Sequence, residues 1–378
     1  MKHKLFIVVN VDWFFLSHRL PIALAAQQAE WDVTIVTADT GKLQDIAEKG
    51  LRVINLPMSR SGMNIFEELK TLRFLTHLYR TEHPDVVHHV GMKTILWGTI
   101  AAKWTHVHGI VNAISGLGGF FAKDNKSLLG KVIPFVLRWS HRRPNLLCIF
   151  QNDEDWNMYV AHRIIKHEQG RFIKGSGVNL QQYVYTPEPS TGKLKVALTA
   201  RMIAEKGIFL LTEAAERLRP KYEGKVIFQL IGGIDDHPRA ITEEQLKQVC
   251  DGNYIKWLGY RTDVLELLKQ CHIVAFPSYY MEGLPKSLIE ANAVGRPIIT
   301  SNSIGCKDAV IDGHNGFLIT PKDVDALTEK LDILLSDAAL RRQMGLNARK
   351  YAEENFSLQT VIERHLIIYK ELLTHKSL

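Results

Sequence analysis

Short apolar runs of about five residues recur along the chain, separated by longer stretches in which apolar residues return every three or four positions. In the first half the runs fall at residues 5–9, 33–37, 53–56, 85–89, 110–114 and 148–152. In the second they fall at 194–199, 226–231, 254–257, 273–276 and 297–300. Continuous apolar runs of this length predict parallel strands buried on both faces, and the intervening period predicts the helices that cover them. Residues 64–79 illustrate the helical pattern, with Ile65, Leu69, Leu72 and either Phe74 or Leu75 along one predicted core stripe. Between the two series lies TPEPSTG, residues 186–192, whose prolines and small polar residues predict a linker. The expected architecture is α/β, with two Rossmann-like domains at 1–185 and 193–355 followed by a helical segment at 356–378.

A length of 378 residues suits two such domains better than one core. Cys148, Cys250, Cys271 and Cys306 have neither metal-ligand spacing nor the density of a disulfide scaffold, which predicts a reducing, cytoplasmic setting. The N-terminal KHKLFIVVNVDWFF resembles a signal sequence only until Asp12 and the following Ser17-His18-Arg19 interrupt it, and no run reaches the length of a membrane span. Charge is uneven: residues 1–185 hold 22 Lys and Arg against 15 Asp and Glu, whereas the remainder holds 25 against 25. The excess fits nucleic acid, an anionic membrane or a phosphorylated acceptor. Residues 126–143, KSLLGKVIPFVLRWSHRR, mix apolar anchors with cations and are expected to break at Pro134. They read either as a helix at an anionic membrane surface or as a core helix with a basic outer face. No nucleic-acid reading module accompanies the charge, so nucleic acid is not an expected partner.

Candidate chemistry concentrates at residues 277–297, PSYYMEGLPKSLIEANAVGRP. A predicted strand feeds a loop carrying Glu282, Pro285 suits the start of a helix, and Glu290 falls about one turn inside it. Gly283 and Leu284 stand where free helix N–H groups attract phosphate. A second predicted strand ends in RMIAEKG, whose Arg201 and Lys206 suit a departing diphosphate. Gly232 and Gly233 end a further strand, where a nucleotide could approach or an ordinary turn could form. His88 and His89 fall at the predicted end of a strand, where open sheets bind ligands; satisfied core histidines are the alternative. Ser17, His18 and Arg19 follow the first strand as donors to an acceptor diphosphate, or Ser17 as a helix cap.

The order of these motifs, an E-x7-E stretch preceded by RMIAEKG, resembles the retaining GT-B glycosyltransferases of family 4 over essentially the whole chain. It is similar to members that act on undecaprenyl-diphosphate-linked saccharides. The resemblance implies two Rossmann-like domains facing a cleft, with a final helix crossing back to the first. It implies transfer of a hexose or N-acetylhexosamine from a UDP-sugar to a lipid-diphosphate-linked saccharide with retention, by a peripheral enzyme of the inner membrane face that needs no cofactor or metal. Glu282 would then touch the donor sugar, Glu290 the ribose, and Arg201 and Lys206 the diphosphate. The backbone around Arg261, in GYRTD, would lie by the base. Two departures stand out: the loop after the first strand lacks the usual glycines, and Ser115 and Gly116 of SGLGGFF occupy the place of a common histidine. Those glycines would let backbone N–H groups approach the donor. A sugar-nucleotide epimerase or hydrolase of the same fold is the competing reading, against which the basic, aromatic-rich first half argues.

Overall fold

A computed structural model describes residues 2–59, 64–116, 128–235, 239–280 and 282–374. Thirteen described strands form two all-parallel sheets. The first contains β1 (Lys4–Val11), β2 (Asp32–Ala38), β3 (Arg52–Asn55), β4 (Val86–Val90), β5 (Gly109–Ala113), β6 (Leu146–Phe150) and β7 (Gly170–Phe172), in the order 3-2-1-4-5-6-7. In the second, β8 (Leu194–Thr199), β9 (Val226–Ile231), β10 (Ile255–Trp257), β11 (Ile273–Phe276), β12 (Ile298–Ser301) and β13 (Gly316–Ile319) run 10-9-8-11-12-13. In each sheet the order reverses beside the first strand, between β1 and β4 and between β8 and β11. Loops leaving those neighbours at their carboxyl ends diverge and leave a crevice, where open α/β sheets take ligands.

The chain divides into one unit of Met1–Ser176 with Gln359–Leu378 and another of Gly177–Leu358. The division falls ten residues before the predicted linker, because residues 177–186 are tied to the second unit by backbone bonds: Val178 N to Phe356 O at 2.8 Å and Thr186 N to Val294 O at 3.3 Å. The last helix, Leu358–Thr374, buries Val361, His365, Ile368, Tyr369 and Leu372 in the first unit. Their three- and four-residue spacing is the stripe expected of a helix covering a sheet.

Two helices differ from expectation. Leu128–Ser140 continues through Pro134 instead of breaking there, so the proline costs a hydrogen bond without ending the element. In Ile65–Glu82 the buried positions are Glu68, Thr71, Leu72, Leu75, Leu78 and Tyr79, whereas Ile65 and Leu69 are 60% and 45% exposed. The predicted apolar stripe therefore holds only from Leu72 onward; in the first two turns the buried side chains are the polar Glu68 and Thr71. β7 and β13 were not anticipated. Both are short edge strands opening on glycine, a pattern too brief to separate from a turn.

Candidate functional site

At the crevice of the second sheet the loops after β8 and β11 lock together. Gly207 adopts φ +85°, and a Cβ there would stand 2.4 Å from the Pro277 carbonyl oxygen, so only glycine admits this approach. Tyr279 N donates to Glu205 O at 3.0 Å, which ties the two loops together. The contact brings Lys206 Nζ to 2.5 Å from Glu282 Oε2, while Ser278 Oγ donates to Glu282 Oε1 at 2.9 Å. Lys206 is 8% exposed, and its ammonium also faces the rings of Phe276 and Tyr280 at 5.6 and 5.4 Å. A desolvated cation and a hydrogen-bonded carboxylate thus meet at the carboxyl end of a parallel sheet, 76 residues apart in sequence.

Glu290 projects from the helix Lys286–Val294, which starts directly after Pro285 and has no side-chain cap. Leu284 and Gly283 lead into that start. Leu284 is buried, and the Gly283 carbonyl lies against Gly305 so closely that a Cβ on Gly305 would come within 2.2 Å. Glu290 is 8% exposed, and burial raises its carboxyl above the ordinary range against the opposing pull of Lys286 and Tyr183. The Tyr183 hydroxyl donates to Oε1 at 2.9 Å, and Lys286 Nζ stands 3.5 Å from that atom.

The remaining candidates of the second unit ring the same edge. Arg201 follows β8 and pairs with Asp235 at 2.8 Å, so both cations of RMIAEKG are held by carboxylates. Gly232 ends β9, and a Cβ there would reach within 1.7 Å of the Ala200 carbonyl oxygen; contact between the loops after β8 and β9 accounts for this glycine. Arg261 is turned back onto its own loop, with Nε and Nη2 donating to Asp263 at 2.8 and 2.6 Å. Its neighbour Tyr260 is 79% exposed beside Gly233. Tyr183, Ser278, Asp235 and Tyr260 were not singled out from sequence. Ser278 and Tyr260 nonetheless stand inside the 277–297 and GYRTD stretches described above, whereas Tyr183 and Asp235 stand in none of those stretches.

Ser115 and Gly116 lie just beyond β5 in the first unit, with Gly116 at φ +102°, and residues 117–127 lie outside the described residues. The structure corrects the ligand reading of the histidines. β4 continues to Val90, and His88 and His89 are fully buried within it. His89 Nδ1 meets Asn112 Oδ1 at 2.9 Å and its Nε2 meets Tyr79 Oη at 3.0 Å, while His88 Nδ1 meets Tyr369 Oη at 2.8 Å. Burial holds His88 well below the usual imidazole range and His89 at about 4. Arg19 is also buried, at 3% exposure, so it offers nothing to a ligand at the surface. Ser17 caps no helix; its hydroxyl donates back to the Trp13 carbonyl at 2.9 Å, and His18 stacks on Phe14 at 4.1 Å. The helix Asp12–His18 follows β1 directly, and its buried Asp12 holds the loop after β2 by accepting the backbone N–H groups of Thr40 and Lys42 at 2.7 and 2.9 Å. Burial raises that carboxyl, but the hydrogen bonds outweigh it and leave it below its ordinary value.

Among the described residues no group of His, Cys, Asp and Glu is placed to hold a metal, and no helix is long and apolar enough to cross a membrane.

Two all-parallel sheets of this order define the doubly wound α/β class of fold, and comparison with known proteins narrows it. The profile of Glycosyl transferases group 1 matches residues 187–351, and that of Glycosyl transferase 4-like matches residues 4–152. The chain belongs to the GT-B glycosyltransferases. Among its relatives is the N,N'-diacetylbacillosaminyl-diphospho-undecaprenol alpha-1,3-N-acetylgalactosaminyltransferase of Campylobacter jejuni, 28% identical over 381 residues and covering 95% of this chain and 98% of the relative. Another is the UDP-Gal:alpha-D-GlcNAc-diphosphoundecaprenol alpha-1,3-galactosyltransferase of Escherichia coli, 23% identical over 370 residues and covering 92% of this chain and 91% of the relative. The crystal structure of Anabaena HepE in complex with UDP shares the fold with a TM-score of 0.77 at 17% identity, covering 98% of this chain and 100% of that one.

Proposed function

We propose that this glycosyltransferase moves a hexose or N-acetylhexosamine from a UDP-sugar to a lipid-diphosphate-linked saccharide, with retention of configuration, in surface polysaccharide assembly. The observation that carries the reading is the Lys206–Glu282 pair at the crevice, with Glu290 about one turn into the adjoining helix. A diphosphate entering there carries more negative charge than a single carboxylate. It would draw Lys206 from Glu282 and Arg201 from Asp235, stabilising the charge that develops on the leaving group. Glu282, released from Lys206 and still held by Ser278, would then accept hydroxyls of the donor sugar, while Glu290 takes those of the ribose. The two cations serve the leaving group directly, so turnover in the presence of a chelator is expected. The acceptor class and the uridine nucleotide rest on the relatives, two of which are named for undecaprenol diphosphate acceptors and one of which binds UDP. Retention rests on the family resemblance.

An acceptor of this kind places the enzyme at an anionic membrane surface, and one face of the first unit suits it. Phe66, Leu69, Lys70, Arg73, His77 and Arg80 follow one side of the helix Ile65–Glu82 and, with Trp104, line a groove of about 910 Å³ with no acidic side chain among the described residues that line it. Phe66 is 78% exposed and Trp104 51%. The helix Leu128–Ser140 packs on the same neighbour, Met92–Trp104, and exposes Val132, Phe135 and Trp139. Two cations of residues 126–143 are engaged within the unit: half-buried Arg143 donates to the carbonyls of Ala102 and Val107, and Arg138 to that of His162. Incubation with labelled UDP-sugars, with and without a polyprenyl-diphosphate-linked saccharide, tests the assignment. Sugar transfer that requires the lipid-linked acceptor is expected. Donor turnover indifferent to acceptor would overturn it.

A further inference from the structure

Glu290 is too buried to be held by solvent, so something in the protein must orient it, and that work falls to the segment entering the second unit. Asn179 closes a tight turn there, its carbonyl accepting from Tyr183 N at 2.8 Å and its side chain from Gln181 N at 3.0 Å. Arg349, on the helix Ala338–Asn355, then clamps this turn to the helix bearing Glu290. One of its nitrogens, Nη1, donates to the carbonyls of both Tyr183 and Ala293, at 2.5 and 2.8 Å. The backbone of Tyr183 is therefore fixed relative to Glu290 before any ligand arrives. Its hydroxyl meets Glu290 Oε1 at 2.9 Å, and Lys286 approaches the same atom. Among the described residues the hydrogen bond from Tyr183 goes to Oε1, which leaves Oε2 the carboxylate oxygen it does not occupy.

We propose that Tyr183 is a positioning residue for donor binding: its hydroxyl occupies one carboxylate oxygen of Glu290 and turns the other toward the nucleotide's sugar hydroxyls. Phenylalanine would fill the same space, so this function resides in a single oxygen atom. The inference rests on the assignment of Glu290 to the donor nucleotide. Removing the hydroxyl has two consequences. The carboxylate loses a fixed orientation, which weakens a contact made equally before and during the reaction, so the loss appears in KM and not in kcat. The carboxylate also loses a donor that stabilises its charge, so its protonation moves to higher pH.

The test uses the full-length chain. UDP, GDP and ADP are titrated calorimetrically into wild type, and the tightest binder is carried forward with Tyr183→Phe, Glu290→Gln and the double variant. Tyr183→Phe is expected to weaken nucleotide binding and raise donor KM about ten-fold, the scale of a hydrogen bond to a charged group. Its kcat should stay within about two-fold, the acid limb of kcat/KM should move to higher pH, and its thermal midpoint should fall by no more than about 4 °C. The double variant should bind no more weakly than Glu290→Gln, because the hydroxyl acts through that carboxylate. If Glu290→Gln weakens binding and Tyr183→Phe does not, the positioning role falls while the Glu290 assignment stands. If no nucleotide binds wild type, or Glu290→Gln leaves binding intact, the assignment itself falls and takes the proposal with it.

Discussion

Acidification should unfold the first unit selectively, because its interior keeps several imidazoles neutral. His89, His141 and His365 are held by burial at about 4, about 4 and about 3, and His88 well below its ordinary value. Their hydrogen bonds fit the neutral forms. His141 Nδ1–H donates to the Leu137 carbonyl at 2.9 Å while Nε2 accepts from Asn112 Nδ2 at 3.0 Å, and His365 Nδ1–H donates to the Val361 carbonyl at 2.7 Å. A depressed folded pKa means that the unfolded chain takes up protons first, so the stability is present above about pH 6.5 and is lost as pH falls toward 4. Between pH 7.5 and 5.5 each such group loses about 1.4 kcal/mol, or about 4 kcal/mol for the three with stated values. That is a large share of a domain's total of about 5–15 kcal/mol. Six of the seven tryptophans lie in the first unit, Trp257 being the exception, so tryptophan fluorescence reports on it. Guanidinium titrations followed by fluorescence should show a midpoint lower by about 0.8 M at pH 5.5 than at pH 7.5, for a slope of about 5 kcal/mol/M. Equal midpoints, or imidazole titrations near pH 6.5 by NMR, would refute the reasoning.

Lys206→Ala should lower turnover about 10²-fold or more and destabilise the fold by about 3 kcal/mol, because it strands a mostly buried carboxylate. Arg201→Ala should lower turnover comparably and cost about 1–3 kcal/mol, because Arg201 is 40% exposed but its partner Asp235 only 6%; paired kinetic and melting measurements check both. Glu282→Gln should reduce kcat and Glu290→Gln should raise donor KM, and an exchanged pattern in steady-state kinetics would exchange their roles. Gly207→Ala should cost about 2 kcal/mol or more and reduce turnover by parting the two crevice loops, as thermal melts and initial rates would register. Replacing Phe66 with Asp and Lys70, Arg73 and Arg80 with Gln should release the protein from anionic vesicles in co-sedimentation. Each cation contributes about 1 kcal/mol, so binding equal to wild type at low salt would remove this face from the interface.

Both sheets were legible in the sequence because parallel strands buried on two faces leave continuous apolar runs, and the Glu282 and Glu290 spacing was legible because a helix fixes the distance between a residue and its own start. Side-chain partnerships were not. The pairing of Lys206 with Glu282 depends on two loops that meet only because a sheet order of 9-8-11 sets their strands side by side and Gly207 lets them touch. Histidines at a strand end and histidines one residue inside it look alike in sequence; the continuation of β4 to Val90 and the return of Tyr369 on the last helix decide that His88 is core. Likewise Ile65, Phe66 and Leu69 continue the period of a buried stripe, yet the core ends before the helix does, so the same periodicity describes packing from Leu72 onward and an exposed apolar surface before it. Local periodicity records which face of an element is apolar. Only the tertiary structure decides whether another element lies there to cover it.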